Sequence, residues 1–215
     1  MQKLARYTLA LVVITLFLVP QSSQATGLGL YLPSWGNGSS TITYDYDDEF
    51  DRDLSHVGIG FVLDTRVARQ GVFNYRLHLG FESADYQRIE KFSRFAIDNT
   101  FGFGVVQSRV LRLWLGPSIR LAYQSYSDEY SELSAFGFGL APVLGMNFNI
   151  GNVLSICPEI GFRFTFFEGS ESSEYYDSYY GYYDYYDADV RSVDRQFFIN
   201  LAILFRIGDV FDDFF

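Results

Sequence analysis

The sequence predicts an all-β protein, namely an eight-stranded antiparallel up-and-down transmembrane β-barrel with short periplasmic turns and long extracellular loops. Three observations predict this fold. The N-terminus has the layout of an export signal, apolar and polar residues alternate along eight later segments, and the connections between these segments are alternately short and long. After residue 25 no stretch keeps the period of 3.6 residues that indicates an amphipathic helix.

The first 25 residues form the export signal. Lys3 and Arg6 precede a nearly unbroken apolar run at 7–19, and a polar stretch of small residues ends at Ala25. This three-part layout is typical of a secretory signal peptide. The apolar run is shorter than the roughly 20 residues that a membrane-spanning helix needs. We therefore expect a signal peptide at 1–25 and a single barrel domain at 26–215.

Alternation is clearest in residues 73–82, where Phe, Tyr and Leu at odd positions are separated by polar residues or glycine. A period of two exposes one face of a strand to an apolar medium and the other face to a polar one. The same criterion predicts strands at 27–35, 56–67, 73–82, 95–106, 110–123, 135–149, 154–167 and 196–207. Most reach the 9–11 residues that a tilted transmembrane strand requires.

The connections fall into two classes. Short turns are predicted around 69–71, 107–109 and 150–152, whereas the intervening connections span about 36–54, 83–94, 124–134 and 168–195. Short turns at one end and long loops at the other are typical of outer-membrane barrels, whose short turns are periplasmic. An even number of strands places both termini on the periplasmic side.

The short turns also predict strand registers. A three-residue loop at 69–71 pairs Asp64 with Arg76. Shifting the register by two residues would place Arg66 opposite Arg76, and these like charges would repel each other. The same reasoning pairs Gly102 with Trp114, and Gly139 with Arg163.

The polar face of these strands is rich in charge and glycine. Its charged members are Asp64, Arg66, Arg76, His78, Glu82, Asp98, Arg112, Arg120, Glu159, Arg163 and Arg206. A soluble barrel would turn its apolar face inward, but small and mutually paired charged residues suit a narrow interior, and large Phe, Leu and Ile residues suit lipid. We expect these residues to form a polar network in the lumen. Such a network is either a structural plug of ion pairs or a polar path.

On these strands and turns the chain resembles the small eight-stranded outer-membrane barrels of Gram-negative bacteria, the OmpA-like, OmpX-like and OmpW-like families. The resemblance covers the whole chain after residue 25 and is architectural. It implies an outer-membrane location, contact with membrane lipid and lipopolysaccharide, and insertion by the barrel-assembly machinery. It also implies an assembly signal at Phe215, although Gly208-Asp209 separates this residue from the last predicted strand.

Charge and cysteine content exclude other classes of protein. The formal net charge of −10 disfavours nucleic acid as a partner, and Cys157 alone cannot form a disulfide within the chain. The Asp-rich segment 44–53 offers oxygen ligands for Ca²⁺ but lacks the central glycine and the spacing of an EF-hand. We expect a solvated loop there, and neither a metal nor a cofactor.

The two histidines are the candidates for lipid-modifying catalysis. His78 faces the predicted lumen. His56 would begin the second strand at the extracellular rim, near Ala84 and Glu82, with Ser55 or Ser83 in reach. Chance proximity of polar residues at a rim explains this grouping, so we expect no catalytic residues.

The segment 168–195 is acidic and holds eight tyrosines that are candidates for binding: Tyr175, Tyr176, Tyr179, Tyr180, Tyr182, Tyr183, Tyr185 and Tyr186. Tyrosine provides rigid amphipathic contact area, and the negative charge would attract a basic or cell-surface ligand. The alternative is a solvated loop of low complexity. The predicted function is a monomeric, non-enzymatic scaffold for surface contact, adhesion or envelope structure. A passive OmpW-like conduit and a lipid A-modifying enzyme are the alternatives.

Overall fold

A computed structural model describes residues 26–44, 49–65, 72–87, 91–128, 130–177 and 182–207. These residues form eight antiparallel strands that close into a barrel by pairing of the first strand with the last. The strands are β1 (Thr26–Tyr44), β2 (Glu49–Asp64), β3 (Phe73–Tyr86), β4 (Lys91–Gln107), β5 (Leu111–Ser127), β6 (Ser131–Ile150), β7 (Leu154–Asp177) and β8 (Tyr182–Ile207). The predicted eight-stranded antiparallel barrel is confirmed. No helix within the described residues is long and apolar enough to cross a membrane.

The apolar residues of the alternating pattern lie on the outside of the barrel. Phe61, Phe81 and Phe205 are each more than half exposed, at 56%, 59% and 58%. Similar Leu, Ile and Phe side chains on every strand form a continuous belt, while the residues between them point inward and are buried. A closed barrel satisfies all of its backbone hydrogen bonds between strands, so this apolar belt suits a lipid bilayer.

The strands are longer than predicted at one end of the barrel. Most of the residues predicted as the loops 36–54 and 168–195 continue as paired strands, and the β7–β8 ladder reaches Asp177 and Tyr182. The predicted long loops are therefore corrected to extended hairpins, which define the hairpin end of the barrel. Beyond the belt the outward residues become polar, so the contrast that predicts a strand fades although the backbone ladder continues.

Only one of the predicted registers is correct. Asp64 pairs with Arg76, as predicted. Trp114 pairs with Gly104 rather than Gly102, because the turn lies further along the chain than predicted and Gln107 still pairs with Arg112. A bulge between Gly104 and Val106 then shifts the ladder back by one residue. Gly139 pairs with Thr165 rather than Arg163, and the turn between β6 and β7 occupies 151–153, with Gly151 in the left-handed region at φ 57°.

The described ends of the chain lie at the end of the barrel that carries the short turns. Thr26 pairs with Ile207, beside the connections 65–72, 108–110 and 151–153. We call this the short-turn end. The barrel therefore has two different ends, and charged side chains point into the interior between them.

Candidate functional site

The residues predicted for the lumen network point into the barrel wherever the structure describes them. Each of the following is at most 7% exposed: Asp64, Arg76, His78, Glu82, Asp98, Arg112, Arg120, Glu159, Arg163 and Arg206. Arg66 lies outside the described residues. Buried charges need partners, so the contacts of these side chains decide what the interior can do.

The first cluster lies near the short-turn end and is centred on Arg76. Its Nε donates to Asp64 at 2.9 Å, its Nη1 donates to Glu159, and its Nη2 donates to Asn147 at 2.8 Å. Nε2 of His78 lies 3.7 Å from Glu159. Because β3 and β7 face each other across the closed barrel, this cluster joins opposite walls.

Trp114 closes the interior beside this cluster. Its indole is fully buried, its Nε1 donates to Asn147 at 3.2 Å, and the Arg76 guanidinium lies 4.9 Å from the centre of its ring. A Cβ atom on Gly145 would lie 2.1 Å from the indole, and one on Gly102 would lie 2.7 Å from it. Glycine is therefore required beside Trp114, even though the predicted pairing with Gly102 is wrong.

The second cluster occupies the middle of the barrel, where Arg120 binds two carboxylates. Its Nε and Nη2 donate to Asp98 at 2.8 Å, and its Nη1 and Nη2 donate to Glu82 at 2.9 and 2.6 Å. Nη2 of Arg163 lies 3.5 Å from Asp98, and its guanidinium stacks over Phe198 at 4.1 Å. Hydrogen bonds between ionised groups, above all where one arginine binds a carboxylate through two nitrogens, are stronger than those between neutral groups.

The third cluster lies toward the hairpin end and was missed by the sequence analysis. Nη2 of Arg94 donates to Asp194, Tyr86 and Gln124, each at 2.8 Å. Arg94 and Asp194 fell in predicted loops, because the predicted strands stopped at 95 and 196. The signal was present, since both residues continue the inward period of two that runs through Ala96 and through Gln196.

His56 lies within the barrel and not at its rim, which corrects the predicted rim pair. It pairs with Ala84 as expected but is only 2% exposed, and its Nε2 lies 3.3 Å from the hydroxyl of Ser34. Ser55 and Ser83 point outward. A serine nucleophile needs a base held by a third group, but Nδ1 of His56 has no hydrogen-bond partner among the described residues. The Ser34–His56 pair is also shielded from lipid and solvent.

An open cavity of about 270 Å³ lies above the third cluster, at the hairpin end. Aromatic and aliphatic side chains form most of its wall, and Asp128 and Glu171 stand at its polar side. Tyr86 and Gln124 form its floor, where they also bind Arg94. We call this space the hairpin-end cavity. No sequence pattern pointed to it, because its lining comes from seven segments that meet only in the closed barrel.

The tyrosine-rich segment forms the outermost part of the β7–β8 hairpin. Its backbone pairs Tyr175 with Asp184, and Tyr176 with Tyr183. Tyr186 is 43% exposed. Tyr179 and Tyr180 lie outside the described residues, as do the predicted signal peptide and Phe215.

Solved structures with the same architecture are outer membrane proteins. OprG from Pseudomonas aeruginosa matches with a TM-score of 0.60 at 8% identity, over 85% of this chain and 95% of that one. The outer membrane protein AlkL matches with a TM-score of 0.54 at 9% identity, over 85% and 90%. The chain has the fold of a small outer-membrane β-barrel. No family model and no curated protein sequence matches it.

This likeness agrees with the apolar belt and with the predicted outer-membrane location. At these identities it describes the fold alone, so the function must be argued from the interior, the cavity and the hairpins of this barrel.

Proposed function

We propose that this protein is a non-enzymatic outer-membrane barrel whose closed interior makes it a rigid scaffold for surface-exposed hairpins. One observation carries the proposal: three clusters of paired charges fill the interior, one near the short-turn end, one in the middle and one toward the hairpin end. Eight strands leave an interior that side chains can fill, and multidentate ion pairs hold those side chains in place. A passive conduit would require these clusters to part.

Planar-bilayer recordings test the closed interior. We expect the purified protein to show no channel openings, because Arg76, Arg163 and Arg94 each reach a carboxylate on a strand three or four places away around the barrel. A large-pore porin added to the same bilayer serves as the positive control. Steady openings of a defined conductance would refute the scaffold and favour the conduit.

The hairpins are the part of the scaffold that would meet a partner. The β7–β8 hairpin projects beyond the apolar belt, and its segment from Glu168 to Asp194 is strongly acidic. A hairpin whose sequence is rich in tyrosine and in carboxylates suits a basic partner on another surface. Glu49, Asp51 and Asp53 at the start of β2 add negative charge at the same end, since this part of β2 pairs with the end of β1, which in turn pairs with β8 up to Tyr44.

Cell-binding assays test display. Deleting 174–187 should abolish binding of expressing cells to a basic surface such as polylysine-coated glass, while the barrel stays folded. A second variant with serine at the eight tyrosines keeps the negative charge, so it separates the contribution of aromatic contacts from that of electrostatic attraction. If the deletion leaves binding unchanged, display by this hairpin is refuted.

The remaining parts of the proposal concern the membrane. We propose insertion by the barrel-assembly machinery, contact with lipopolysaccharide, a monomeric state, and both termini in the periplasm. Gel migration of the detergent-purified protein before and after boiling tests the barrel itself. The unboiled protein should migrate faster, and identical migration in both lanes would contradict the membrane assignment.

A further inference from the structure

The hairpin-end cavity combines an aromatic wall with an acidic mouth. Tyr86 and Phe92 lie edge to face with ring centres 5.0 Å apart, and Phe92 lies 5.4 Å from Tyr126. Phe167 and Tyr44 add two further rings to the lining. Aromatic faces carry negative charge density and attract cations, above all where water is partly excluded.

The charged side chains at the mouth are both acidic. Glu171 lies beside the Tyr44 hydroxyl, and Asp128 accepts a hydrogen bond from the Tyr126 hydroxyl. Each carboxylate is thus held beside a ring of the wall. No lysine, arginine or histidine is among the described residues that line the cavity.

The arginine beneath the floor is already neutralised, and Arg52 lies near Tyr44 but outside the cavity lining. Arg94 donates to Asp194 at 2.8 Å and stacks over Phe167 at 4.6 Å. Its bonds to Tyr86 and Gln124 also occupy the polar groups of the floor. A ligand therefore meets an apolar interior below and negative charge above.

We propose that this cavity binds a small organic cation, an ammonium group carrying one apolar substituent. The apolar part would sit among Ile42, Leu133 and Val190, and the ammonium group would lie at the mouth between Asp128 and Glu171. A dry cavity of 150 Å³ holds benzene, so 270 Å³ suits roughly ten non-hydrogen atoms. Since the clusters below close the lumen, the ligand is held at the surface and is not passed through. This binding site goes beyond the scaffold function.

Calorimetric titration of the protein in phosphatidylcholine nanodiscs tests the proposal, with empty nanodiscs as the blank. The probes are benzyltrimethylammonium, neutral N-benzylacetamide and anionic 3-phenylpropanoate, which match in size. We expect the cation to bind at least about tenfold more tightly than the other two, from ring and carboxylate contacts together. Its affinity should fall as salt is added, because the mouth is exposed to solvent.

Substitutions that keep the shape assign the effect to these residues. Glu171→Gln should weaken binding of the cation by roughly threefold, and the double variant with Asp128→Asn by about tenfold. Glu168→Gln is the matched control, because this carboxylate lies on the same strand but is 78% exposed on the outer face. Phe92→Leu keeps an apolar wall but removes one ring, so it should weaken the cation more than the amide.

Three results are informative. Selective binding of the cation that is roughly threefold weaker in the Glu171 variant and unchanged in the Glu168 variant supports the proposal. Equal binding of all three probes would show a simple apolar pocket and overturn it. Absence of binding at millimolar concentrations would overturn it as well, since gel migration independently confirms that each variant is folded.

Discussion

Replacing Arg120 with leucine would strip two buried carboxylates of their main partner. In the barrel its guanidinium makes four hydrogen bonds, two to Asp98 and two to Glu82, and all three side chains are at most 5% exposed. Removing one member of a buried ion pair costs about 3–5 kcal/mol, because the remaining charge is left without compensation. Leucine retains apolar volume, so the loss measures charge rather than packing.

The structure places the expected loss near the lower end of that range. Arg163 lies 3.5 Å from Asp98, and Arg94 lies 3.9 Å from Glu82, so each carboxylate keeps one weaker contact. We expect the Arg120→Leu variant to lose about 3 kcal/mol in the free energy of unfolding. The measurement is urea unfolding in lipid vesicles, followed by tryptophan fluorescence.

Two further variants make this prediction specific. Removing both carboxylate charges as well, with Glu82→Gln, Asp98→Asn and Arg120→Met, should restore about half of the lost stability, since Arg163 is then the one charge of this cluster left without its carboxylate. Arg191→Leu removes an arginine that is 71% exposed, and it should change stability by no more than about 0.5 kcal/mol. If Arg120→Leu is as stable as the parent, or if the triple variant shows no recovery, the ion pairs do not hold the interior together.

The other predictions concern packing and a turn. Gly145→Ala should destabilise the barrel by about 1–3 kcal/mol, because the new Cβ atom would lie 2.1 Å from the Trp114 ring. The control Gly104→Ala should cost about 0.5 kcal/mol or less, because its Cβ atom would meet only the flexible side chain of Gln107. Equal unfolding midpoints of the two variants in urea would contradict this prediction. Hydrogen bonds from the Tyr126 hydroxyl and two backbone amides lower the pKa of Asp128 to about 2, so these bonds should persist above pH 4 and be lost as the pH falls through about 2. Amide chemical shifts of residues 130 and 131 would report this titration, and a midpoint near pH 4 would show that the hydrogen bonds do not form.

Part of the interior could be predicted from neighbouring strands that one short connection joins. Asp64 and Arg76 are close in sequence and joined by one short turn, so alternation and charge pairing were sufficient to pair them. The other two tested registers were wrong by two residues. Alternation is unchanged by a shift of two, and the bulge beside Val106 has no counterpart in the hydrophobic pattern.

The ends of the strands were the second limit. Arg94 and Asp194 continue the inward period, but their outward neighbours beyond the belt are polar. Hydrophobic contrast ends where the apolar medium ends, and backbone pairing does not. The strand boundaries therefore marked the apolar belt rather than the hydrogen-bonded ladder.

The sequence by itself determined the class of fold, the number of strands and the direction in which most side chains point. Those properties depend on a local period of two and on the lengths of the connections. Only the tertiary structure decided that Arg76 meets Glu159, that Arg94 meets Asp194, and that aromatic rings from separate strands surround one cavity. These contacts join residues about 80 to 100 positions apart, and closing the barrel is what brings them together.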